Sequence, residues 1–308
     1  MRVESIRSLV GNTPHVRVPL GQEDGIRLWI KLEGNNPTGS IKDRACVFLL
    51  EDALDAGRLT PGKILLDASS GNMACAIAYY GRLLGYPATV VANSKLTQEK
   101  KEFIELFGAS LHLVGDFTIQ GNRFCAELAE RELERYCFLD RLHNWSNPRA
   151  HVETTGPEIA ADFPDLALLV GSLGSGGSLL GAAQHLKSAA PGVQVAAVQS
   201  ATGTRLPGTG AFDDGDYVTP FIRKGYTEGF FDRTVKIQFD DAVRGMMALR
   251  DFGIFVGLQT GGVVSAALDT ARELGVRGDV VALSGDTGWK NMAALKKAVA
   301  EAQQEKVA

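Results

Sequence analysis

Residues 166–183 read LALLVGSLGSGGSLLGAA, which is an apolar run, a glycine-rich turn and a second run of small and apolar residues. The first run, Leu166–Val170, predicts a strand that is buried on both faces of a sheet. The residues from Ser178 onward predict a helix. Because a strand, a glycine turn and a helix N-terminus together present free N–H groups, this stretch predicts a phosphate-binding loop in an α/β fold.

Two common phosphate motifs do not fit this loop. The dinucleotide fingerprint fails because Leu179 stands at the third glycine position, and no acidic residue is well placed for a ribose about 20 residues further on. The Walker A form is excluded because no Gly-Lys-Ser/Thr occurs. Ser175 and Ser178 add hydroxyl donors to the loop. The alternative interpretation of the loop, taken alone, is a tight turn that binds nothing.

Strands and helices alternate along the whole chain, which indicates a doubly wound α/β fold. The predicted strands are Arg27–Leu32, Lys63–Ala68, Pro87–Asn93, Ser110–Val114, Leu166–Leu173, Val193–Gln199, Val235–Gln238 and Asp279–Leu283. The predicted helices are Asp43–Ala56, Asn72–Leu84, Thr97–Phe107, Gly121–Glu134, Gly156–Phe163, Ser178–Ala190, Asp240–Phe252, Gly262–Leu274 and Trp289–Glu305. Residues 201–234 are rich in glycine and lack periodicity, and such a long irregular connection is often an active-site loop.

The composition excludes several classes of protein. The 308 residues carry a formal net charge of −4, which disfavours a strongly basic nucleic-acid-binding protein. No apolar run reaches the ~18 residues of a membrane span, and the N-terminus lacks the apolar segment of a signal peptide. These features predict a cytoplasmic protein without a membrane or nucleic-acid partner.

The cysteines and histidines predict no metal site. The cysteines lack a Cys-x-x-Cys spacing and are expected to be buried thiols in a reducing compartment. Four of the histidines lack metal-ligand spacing. The residues concerned are Cys46, Cys75, Cys125 and Cys137, and His112, His143, His151 and His185.

A second motif, residues 36–44, reads NPTGSIKDR and places Lys42 at the start of a predicted helix. A lone lysine is usually a solvated surface charge, but apolar Ile41 precedes this one. Asp43 and Arg44 follow it and are able to pair with each other. A lysine near a helix N-terminus and away from water has a lowered pKa, as a Schiff-base amine needs. Together with a phosphate loop, it indicates pyridoxal 5′-phosphate as the cofactor.

With these motifs the chain resembles the cysteine synthase family, the O-acetylserine sulfhydrylases, over essentially its whole length. The matching motifs are Gly11-Asn12-Thr13-Pro14, Lys31-Leu32-Glu33 and the stretch from Asn36 to Arg44. Residues 27–44 and Asp286-Thr287-Gly288-Trp289-Lys290 look most like the actinobacterial branch that takes O-phosphoserine and a sulfur-carrier protein. The resemblance also implies a homodimer.

The resemblance implies fold type II of the pyridoxal-phosphate enzymes. This is a tryptophan-synthase-β-like α/β architecture of two doubly wound domains, each with a mostly parallel sheet. Residues 1–36 and 149–308 would form a large domain that binds the cofactor phosphate. Residues 37–148 would form a smaller mobile domain that carries the substrate carboxylate loop.

The same resemblance implies a role for each matching position. Lys42 would form the Schiff base and move the substrate α-proton, and Asn72 would hydrogen-bond the cofactor 3′-oxygen. The residues expected at the 5′-phosphate are Gly174, Ser175, Gly176, Gly177 and Ser178. The residues expected at the substrate are Ser69, Ser70, Gly71, Met73 and Asn144. The reaction would pass through an aminoacrylate, to which a nucleophile adds.

Several positions depart from the family pattern. Met73 replaces a residue with a hydroxyl, and Asn144 stands where the family often has the longer glutamine. Losing one charge-assisted hydrogen bond there would cost about 1.5–3 kcal/mol unless another donor replaces it. Gln259 stands where the family has the serine that meets the pyridine nitrogen. Its neighbour Thr260, or Ser284 at a strand end, is the alternative partner of that nitrogen.

The stretch 201–234 is unusually acidic for the family, which would repel a phosphorylated substrate. Two arginines in it could offset this charge, so O-phosphoserine stays open beside O-acetylserine. These residues are Asp213, Asp214 and Asp216, and Arg205 and Arg223. The lysines of Lys95–Lys101 are expected on a solvated helix face, with docking of an acidic partner tail as the alternative.

The sequence therefore predicts a transferase of amino-acid biosynthesis that performs β-replacement on an activated L-serine, with sulfide or a sulfur carrier, to give L-cysteine. One alternative keeps this chemistry but uses an amine, giving a 2,3-diaminopropionate precursor in specialised metabolism. A second is an ammonia-lyase that releases pyruvate, for which Ser284 is the motivating residue. A third is a non-catalytic binding module, against which the intact Lys42 and Asn72 argue.

Overall fold

The computed structural model describes residues 2–305, without the side chains of residues 294, 298 and 301–305. Within these residues, ten strands form one sheet of six strands and one of four. The strands are β1 (His15–Val18), β2 (Arg27–Lys31), β3 (Ile64–Ala68), β4 (Ala88–Ala92), β5 (Ser110–Leu113), β6 (Tyr136–Phe138), β7 (Leu168–Ser172), β8 (Gln194–Ser200), β9 (Arg233–Ile237) and β10 (Asp279–Leu283). The helices are α1 (Lys42–Asp55), α2 (Asn72–Leu84), α3 (Gln98–Leu106), α4 (Thr118–Arg131), α5 (Ser146–Ala150), α6 (Gly156–Asp162), α7 (Gly177–Ala189), α8 (Pro220–Thr227), α9 (Phe239–Asp251), α10 (Leu258–Glu273) and α11 (Met292–Glu305).

The large sheet has the strand order β1-β2-β10-β7-β8-β9. Its strands are parallel except β1, which runs antiparallel to β2. Val281 on β10 lies opposite Trp29 on β2 and Leu169 on β7. Leu168 and Val170 pack into one core layer, and Leu169 packs into the layer on the other face. The apolar run at 166–170 is thus a strand covered on both faces, as predicted.

The small sheet has the order β5-β4-β3-β6, and all its strands are parallel. Leu65 on β3 packs into a core layer formed with α1 and α2, whereas Leu66 packs into a layer formed with α4. The strands of this sheet all fall within residues 37–148, and those of the large sheet fall outside that range. This agrees with two doubly wound units, while the exact domain boundaries and the mobility of the smaller one stay predictions.

The stretch 201–234 is more regular than the sequence predicts, because it contains helix α8. The Thr219 side chain accepts the Ile222 N–H at 3.3 Å and so caps the helix. Pro220 follows at the first helical position, where no N–H is needed. The Thr-Pro pair is therefore the sequence signal for α8. The short strands β1 and β6 and the short helix α5 are further elements that the sequence did not predict.

The four cysteines are buried and free, as predicted. Within residues 2–305, no helix is both long enough and apolar enough to cross a membrane. The same residues contain no cluster of three or more side chains that could hold a metal ion.

Helices α9 and α10 cross in backbone contact. A Cβ atom added at Gly245 would overlap the carbonyl oxygen of Gly261, and one added at Gly261 would overlap the carbonyl oxygen of Ala242. Backbone atoms inside two helices cannot move aside, so only glycine permits this approach. The crossing holds the first turns of α10 firmly against α9.

A buried ionic network ties α1 to the large sheet. Arg44 on α1 donates from Nε to Glu33 Oε2 at 2.8 Å, and from Nη1 to Glu158 Oε1 at 2.6 Å. Lys31 at the end of β2 lies 2.8 Å from Glu158 Oε2. Burial raises the pKa of Glu158, but the hydrogen bonds and charges of Arg44 and Lys31 outweigh it and hold the pKa at about 2. Glu158 is therefore ionised at neutral pH.

The prediction that Asp43 and Arg44 pair with each other is wrong. Asp43 accepts the Thr38 N–H at 2.7 Å, whereas the Arg44 side chain pairs with Glu33 and Glu158. Consecutive residues on a helix point in different directions, so their side chains do not face each other.

Removing one member of this network should destabilise the protein strongly. Glu33→Ala is expected to lower the free energy of unfolding by about 3–5 kcal/mol, because the buried Arg44 charge loses the fully buried one of its two carboxylate partners. Urea denaturation followed by circular dichroism measures the loss. Asp24→Ala is the matched control, since Asp24 pairs with Arg272 at the surface and such pairs contribute roughly 1 kcal/mol or less. Equal losses in the two variants would contradict a structural role for the network.

Candidate active site

A pocket of about 410 Å³ lies between the two sheets. Its walls are the segments that follow the carboxyl ends of β3, β4, β5 and β6 in the small sheet and of β7, β8 and β10 in the large sheet, together with the starts of α1 and α10. Ligands of α/β proteins bind in such crevices. This pocket is therefore the candidate active site.

Lys42 is the first residue of α1, and its side chain lines the pocket. Burial lowers the pKa of its amine to about 8, with a smaller contribution from the positive charge of Arg141. The negative charges of Asp286 and Glu33 act in the opposite direction. More of this amine is neutral at neutral pH than for a solvated lysine, so it is suited to act as a nucleophile and a base.

The loop between β3 and α2 carries Ser69, Ser70 and Gly71, and all three line the pocket. Ser70 Oγ accepts the Asn93 N–H at 2.7 Å, and the Gly71 N–H donates to Ser69 Oγ at 3.2 Å. The first N–H groups of α2 follow directly and attract an anion, because they lack partners within the helix. Met73 also lines the pocket and brings no hydroxyl to it. The loop thus offers an anion site with mostly backbone donors.

Asn72 opens α2 beside this loop. Its Nδ2 donates to Asp286 Oδ2 at 2.8 Å, and Asn291 Nδ2 donates to the same oxygen at 3.0 Å. Because a carboxylate only accepts, this contact directs the amide oxygen of Asn72 away from Asp286. That oxygen is buried and has no hydrogen-bond partner among the described residues. Asn72 therefore holds an unsatisfied acceptor in the pocket wall.

The glycine-rich loop leads from β7 to α7, and its residues Gly174 and Ser175 line the pocket. Residues 176–178 do not line it but form the start of α7 behind them. Thr219 Oγ1 donates to the Ser175 carbonyl at 2.6 Å and holds the loop in place. Thr209, on the facing segment, lines the pocket with a buried hydroxyl that has no partner within the described residues. This end of the pocket is a polar, glycine-lined cradle.

Gln259 lies on the first turn of α10. Of the three residues predicted as possible partners of the pyridine nitrogen, it is the one that lines the pocket. Its Nε2 donates to the Gly208 carbonyl at 2.9 Å and to Ser172 Oγ. Thr260 and Ser284 do not line the pocket, and their hydroxyls are 3.2 Å apart. Which of the three meets the ring nitrogen stays a prediction.

The structure does not bring Asn144 into the pocket. Its Nδ2 donates to Asp52 Oδ2 at 3.2 Å and to the Leu139 carbonyl at 3.3 Å, and its Oδ1 accepts the Ser146 N–H at 2.9 Å. Its amide is therefore fully used in holding a turn. Arg141, three residues earlier, lines the pocket instead. The sequence could have pointed to Arg141 through its position just after the end of β6. That strand, however, is too short to be predicted from the sequence.

The acidic stretch presents fewer free carboxylates than its sequence suggests. Asp216 pairs with Arg205 at 3.0 Å, and Asp213 pairs with Lys236 at 2.7 Å. Asp214 accepts the N–H of residue 203 at 3.0 Å. Repulsion of a phosphorylated substrate is correspondingly weaker.

The lysines of Lys95–Lys101, predicted to lie on a solvated helix face, are only partly exposed. Lys100 is 6% exposed, and its amine lies 3.4 Å from Asn291 Oδ1. Lys95, Lys100 and Arg205 all line the pocket. Arg223 lies on α8 and does not line it.

The residues of the pocket fit pyridoxal 5′-phosphate. Lys42 supplies an amine with a lowered pKa, and Asn72 supplies a buried acceptor that needs a partner. Ser175, the unpartnered hydroxyl of Thr209 and the start of α7 would hold the phosphate. Gln259 lines the same pocket, where it is bonded to Ser172 and Gly208 and lies close to Gly285 after β10. The polar atoms left unsatisfied within the described residues thus match the polar ends of this cofactor.

Comparisons with known proteins agree with this fit. A family model described as pyridoxal-phosphate dependent enzyme matches residues 6–286. The cysteine synthase of Aquifex aeolicus (strain VF5) is 35% identical over 299 residues, which cover 93% of this chain and 90% of that protein. A crystal structure of O-ureido-L-serine synthase has a TM-score of 0.85 and 28% identity, covering 95% of this chain and 94% of that one. A crystal structure of O-acetyl serine sulfhydrylase isoform 3 from Entamoeba histolytica has a TM-score of 0.83 and 26% identity, and the match covers 95% of this chain and 91% of that one.

The position of Lys42 makes it the expected attachment point of the cofactor. Lys42→Ala is expected to lose the visible absorption of lysine-bound pyridoxal phosphate, because no amine remains at the start of α1. Absorption spectra after loading and removal of free cofactor measure this. Lys101→Ala, an exposed lysine on α3, is the control and should stay yellow. A colourless wild type, or a yellow Lys42→Ala, would contradict the assignment.

The lowered pKa of Lys42 predicts a pH dependence for cofactor uptake. Only the neutral amine attacks the cofactor aldehyde, so the apoenzyme should take up pyridoxal phosphate faster as the pH rises. The rate should reach half its maximum near pH 8, where the pKa of Lys42 lies. Stopped-flow absorbance across this range measures the midpoint. A midpoint near 10.5, the ordinary lysine value, would show that the amine is not buried as described.

Proposed function

The chain belongs to the family of pyridoxal-phosphate-dependent enzymes, and we propose that it replaces the β-substituent of an activated L-serine, with sulfide as the nucleophile, to give L-cysteine. The observation that carries this proposal is that Lys42 shares one pocket with two loops suited to binding anions. These are residues 69–71 of the small-sheet unit, and Gly174 and Ser175 of the large-sheet unit. Support comes also from the similarity to a cysteine synthase over most of the chain.

Each group in the pocket has a task in this reaction. When bound, the cofactor supplies an electron sink for negative charge at the substrate α-carbon. Lys42 holds the cofactor before substrate arrives and then, as a neutral amine, takes the proton from the α-carbon. Residues 69–71 and the start of α2 bind the substrate α-carboxylate. Ser175 and the start of α7 bind the cofactor phosphate, so that the reacting carbon stays beside Lys42.

The neutral surroundings of the pyridine end favour loss of the β-substituent. Gln259, the candidate that lines the pocket, carries no charge, and a neutral partner makes the ring a weaker electron sink than a carboxylate would. A weaker sink favours β-elimination over transamination. The carboxylates among the described pocket-lining residues are Asp216 and Asp286, which are bonded to Arg205 and to Asn72.

The leaving group within this proposal is acetate or phosphate. The relative from Entamoeba histolytica is named for O-acetyl serine, which supports acetate. Lys95 lines the pocket and would attract a phosphate, and the mutual pairing of Arg205 with Asp216 removes part of the opposing charge. Both substrates are therefore included in the proposal.

An amine nucleophile is the second candidate. The structural relative named O-ureido-L-serine synthase is named for a product other than cysteine, so this fold accommodates other nucleophiles. Met73 changes the carboxylate loop and Gln259 changes the pyridine end, and both alter the space in which the nucleophile arrives. The product of an amine would be a 2,3-diaminopropionate precursor. A cytoplasmic homodimer, with a sulfur-carrier protein as an alternative sulfur donor, completes the proposal.

A competition experiment tests the proposed reaction. Wild-type holoenzyme with O-acetyl-L-serine and equal concentrations of sulfide, ammonia and an amino acid should form mainly L-cysteine, measured by mass spectrometry. Repeating the experiment with O-phospho-L-serine identifies the leaving group. The Lys42→Ala variant should form no product above background, because the base is missing.

The other outcomes separate the alternatives. A diaminopropionate product would favour the amine nucleophile, and pyruvate without any adduct would favour an ammonia-lyase. No conversion of either serine ester by a yellow, folded enzyme would refute β-replacement and favour a binding module.

A further inference from the structure

Arg141 is a pocket-lining cation whose guanidinium forms no salt bridge with a described side chain. The carboxylates whose charges act on it are Asp67 and Asp140, and their oxygens are bonded to other groups. Asp67 accepts the backbone N–H groups of Ala68 and Arg141, at 2.7 Å and 3.2 Å. Asp140 Oδ1 lies 2.8 Å from His143 Nδ1. Within residues 2–305, the Arg141 guanidinium forms no ion pair with a carboxylate.

The guanidinium is nevertheless held in a fixed place. Its Nε donates to the Ala68 carbonyl at 2.9 Å. Ala68 is the last residue of β3, and the loop of residues 69–71 follows it directly. One edge of the guanidinium is thus anchored beside that loop. The two terminal amino groups of Arg141 make no hydrogen bond to the described residues, so they are free to bind a ligand.

Apart from the Ser69 hydroxyl, the loop beside Arg141 offers its anion site no free side-chain donor, because Ser70 Oγ already donates to Asn93 Oδ1 at 2.7 Å. Met73 has no hydroxyl, and the amide of Asn144 is consumed by Asp52 and two backbone groups. An arginine presents a planar pair of N–H donors that matches both oxygens of a carboxylate. We infer that Arg141 binds the α-carboxylate of the substrate and replaces the donors missing from the loop. This inference rests on the proposed function, because it concerns the substrate of the same site.

The leaving group is a less suitable occupant for Arg141. Lys95 and Arg205 lie near another part of the wall, where their charged groups are 4.8 Å and 5.6 Å from the centre of the Phe117 ring. Lys95 is the cation available there to a phosphate or to an anionic nucleophile, since Arg205 pairs with Asp216. Arg141 is anchored instead to the residue before the carboxylate loop, and it lies close enough to Lys42 for its charge to lower the pKa of that amine.

The arrangement links substrate recognition to the state of Lys42. In the absence of substrate, the positive charge of Arg141 opposes protonation of Lys42. When a carboxylate binds Arg141, the pair is nearly neutral and this opposition is removed. Lys42 is then better able to hold the proton that it takes from the substrate.

Arg141→Gln tests the inference by ligand binding rather than turnover. L-alanine and ethylamine differ by the carboxylate alone, and their binding is measured from the change in the visible spectrum of the holoenzyme. The variant should bind L-alanine roughly 10- to 100-fold more weakly, the range expected for loss of a charge-assisted hydrogen bond, and should bind ethylamine unchanged. Arg149→Gln, an exposed arginine on α5, is the matched control and should behave like wild type.

Three further readouts define what would overturn the inference. The midpoint for cofactor uptake should rise above that of wild type when the Arg141 charge is removed, and an unchanged midpoint would contradict its proximity to Lys42. Equal weakening of L-alanine and ethylamine would show a merely structural role. Loss of kcat/KM for O-phospho-L-serine alone, with O-acetyl-L-serine unaffected, would assign Arg141 to the leaving group and refute the inference.

A second variant tests the inference in case Arg141→Gln does not fold. Arg141→Lys keeps the charge but loses the paired donors, and it should bind L-alanine with an affinity between wild type and Arg141→Gln. L-alanine binding as weak as in Arg141→Gln would show that its charge contributes nothing and would overturn the inference. Wild type that fails to convert any serine ester would refute the proposed function, whereas the L-alanine and ethylamine comparison would still decide the role of Arg141.

Discussion

The buried pairing of Arg44 with Glu33 and Glu158 decides where the reactive lysine stands. Taking these charges out of water costs several kcal/mol per ion, and only complete hydrogen bonding offsets that cost. Arg44 is two residues beyond Lys42, so the network fixes the first turn of α1. Thr13 joins it by donating to Glu33 at 2.7 Å. Three sequence motifs, at residues 11–14, 31–33 and 36–44, are therefore joined with the distant Glu158 in one buried network, and the start of α1 depends on all of them.

The pocket is built to receive negative charge at two ends. The start of α2, next to the small sheet, lines the pocket with Lys42, and the start of α7, next to the large sheet, lies directly behind the pocket-lining Gly174 and Ser175. A cofactor phosphate and a substrate carboxylate would each meet one of these helix ends. Burial, and to a smaller extent the charge of Arg141, lower the pKa of Lys42 to about 8, so that a larger fraction of its amine is neutral than for a solvated lysine. The positive charge that attracts anions to the pocket thus also raises the fraction of this amine that can accept a proton.

Local sequence patterns predicted the parts of the site that depend on backbone geometry. The glycine loop at 171–178 and Lys42 at the head of a helix follow from turn chemistry and periodicity, and the structure brings Gly174, Ser175 and Lys42 to one pocket. Contacts between distant side chains were not predictable in this way. The partners of Arg44 come from residues 33 and 158, and nothing near position 44 reveals them. Arg141 was missed because β6 has three residues, which is too short for a periodic pattern.

The glycine crossing of α9 and α10 has a consequence for how this enzyme can diverge. Gly245 and Gly261 touch through backbone atoms, and Gln259 lies two residues before Gly261, on the first turn of the same helix. A methyl group at either glycine would push the two axes apart and carry Gln259 with α10. Substitutions at this helix contact, which no substrate touches, could therefore change the surroundings of the cofactor ring. Descendants of this chain that keep the pocket residues but differ in catalysis would be expected to carry their decisive substitutions at this crossing.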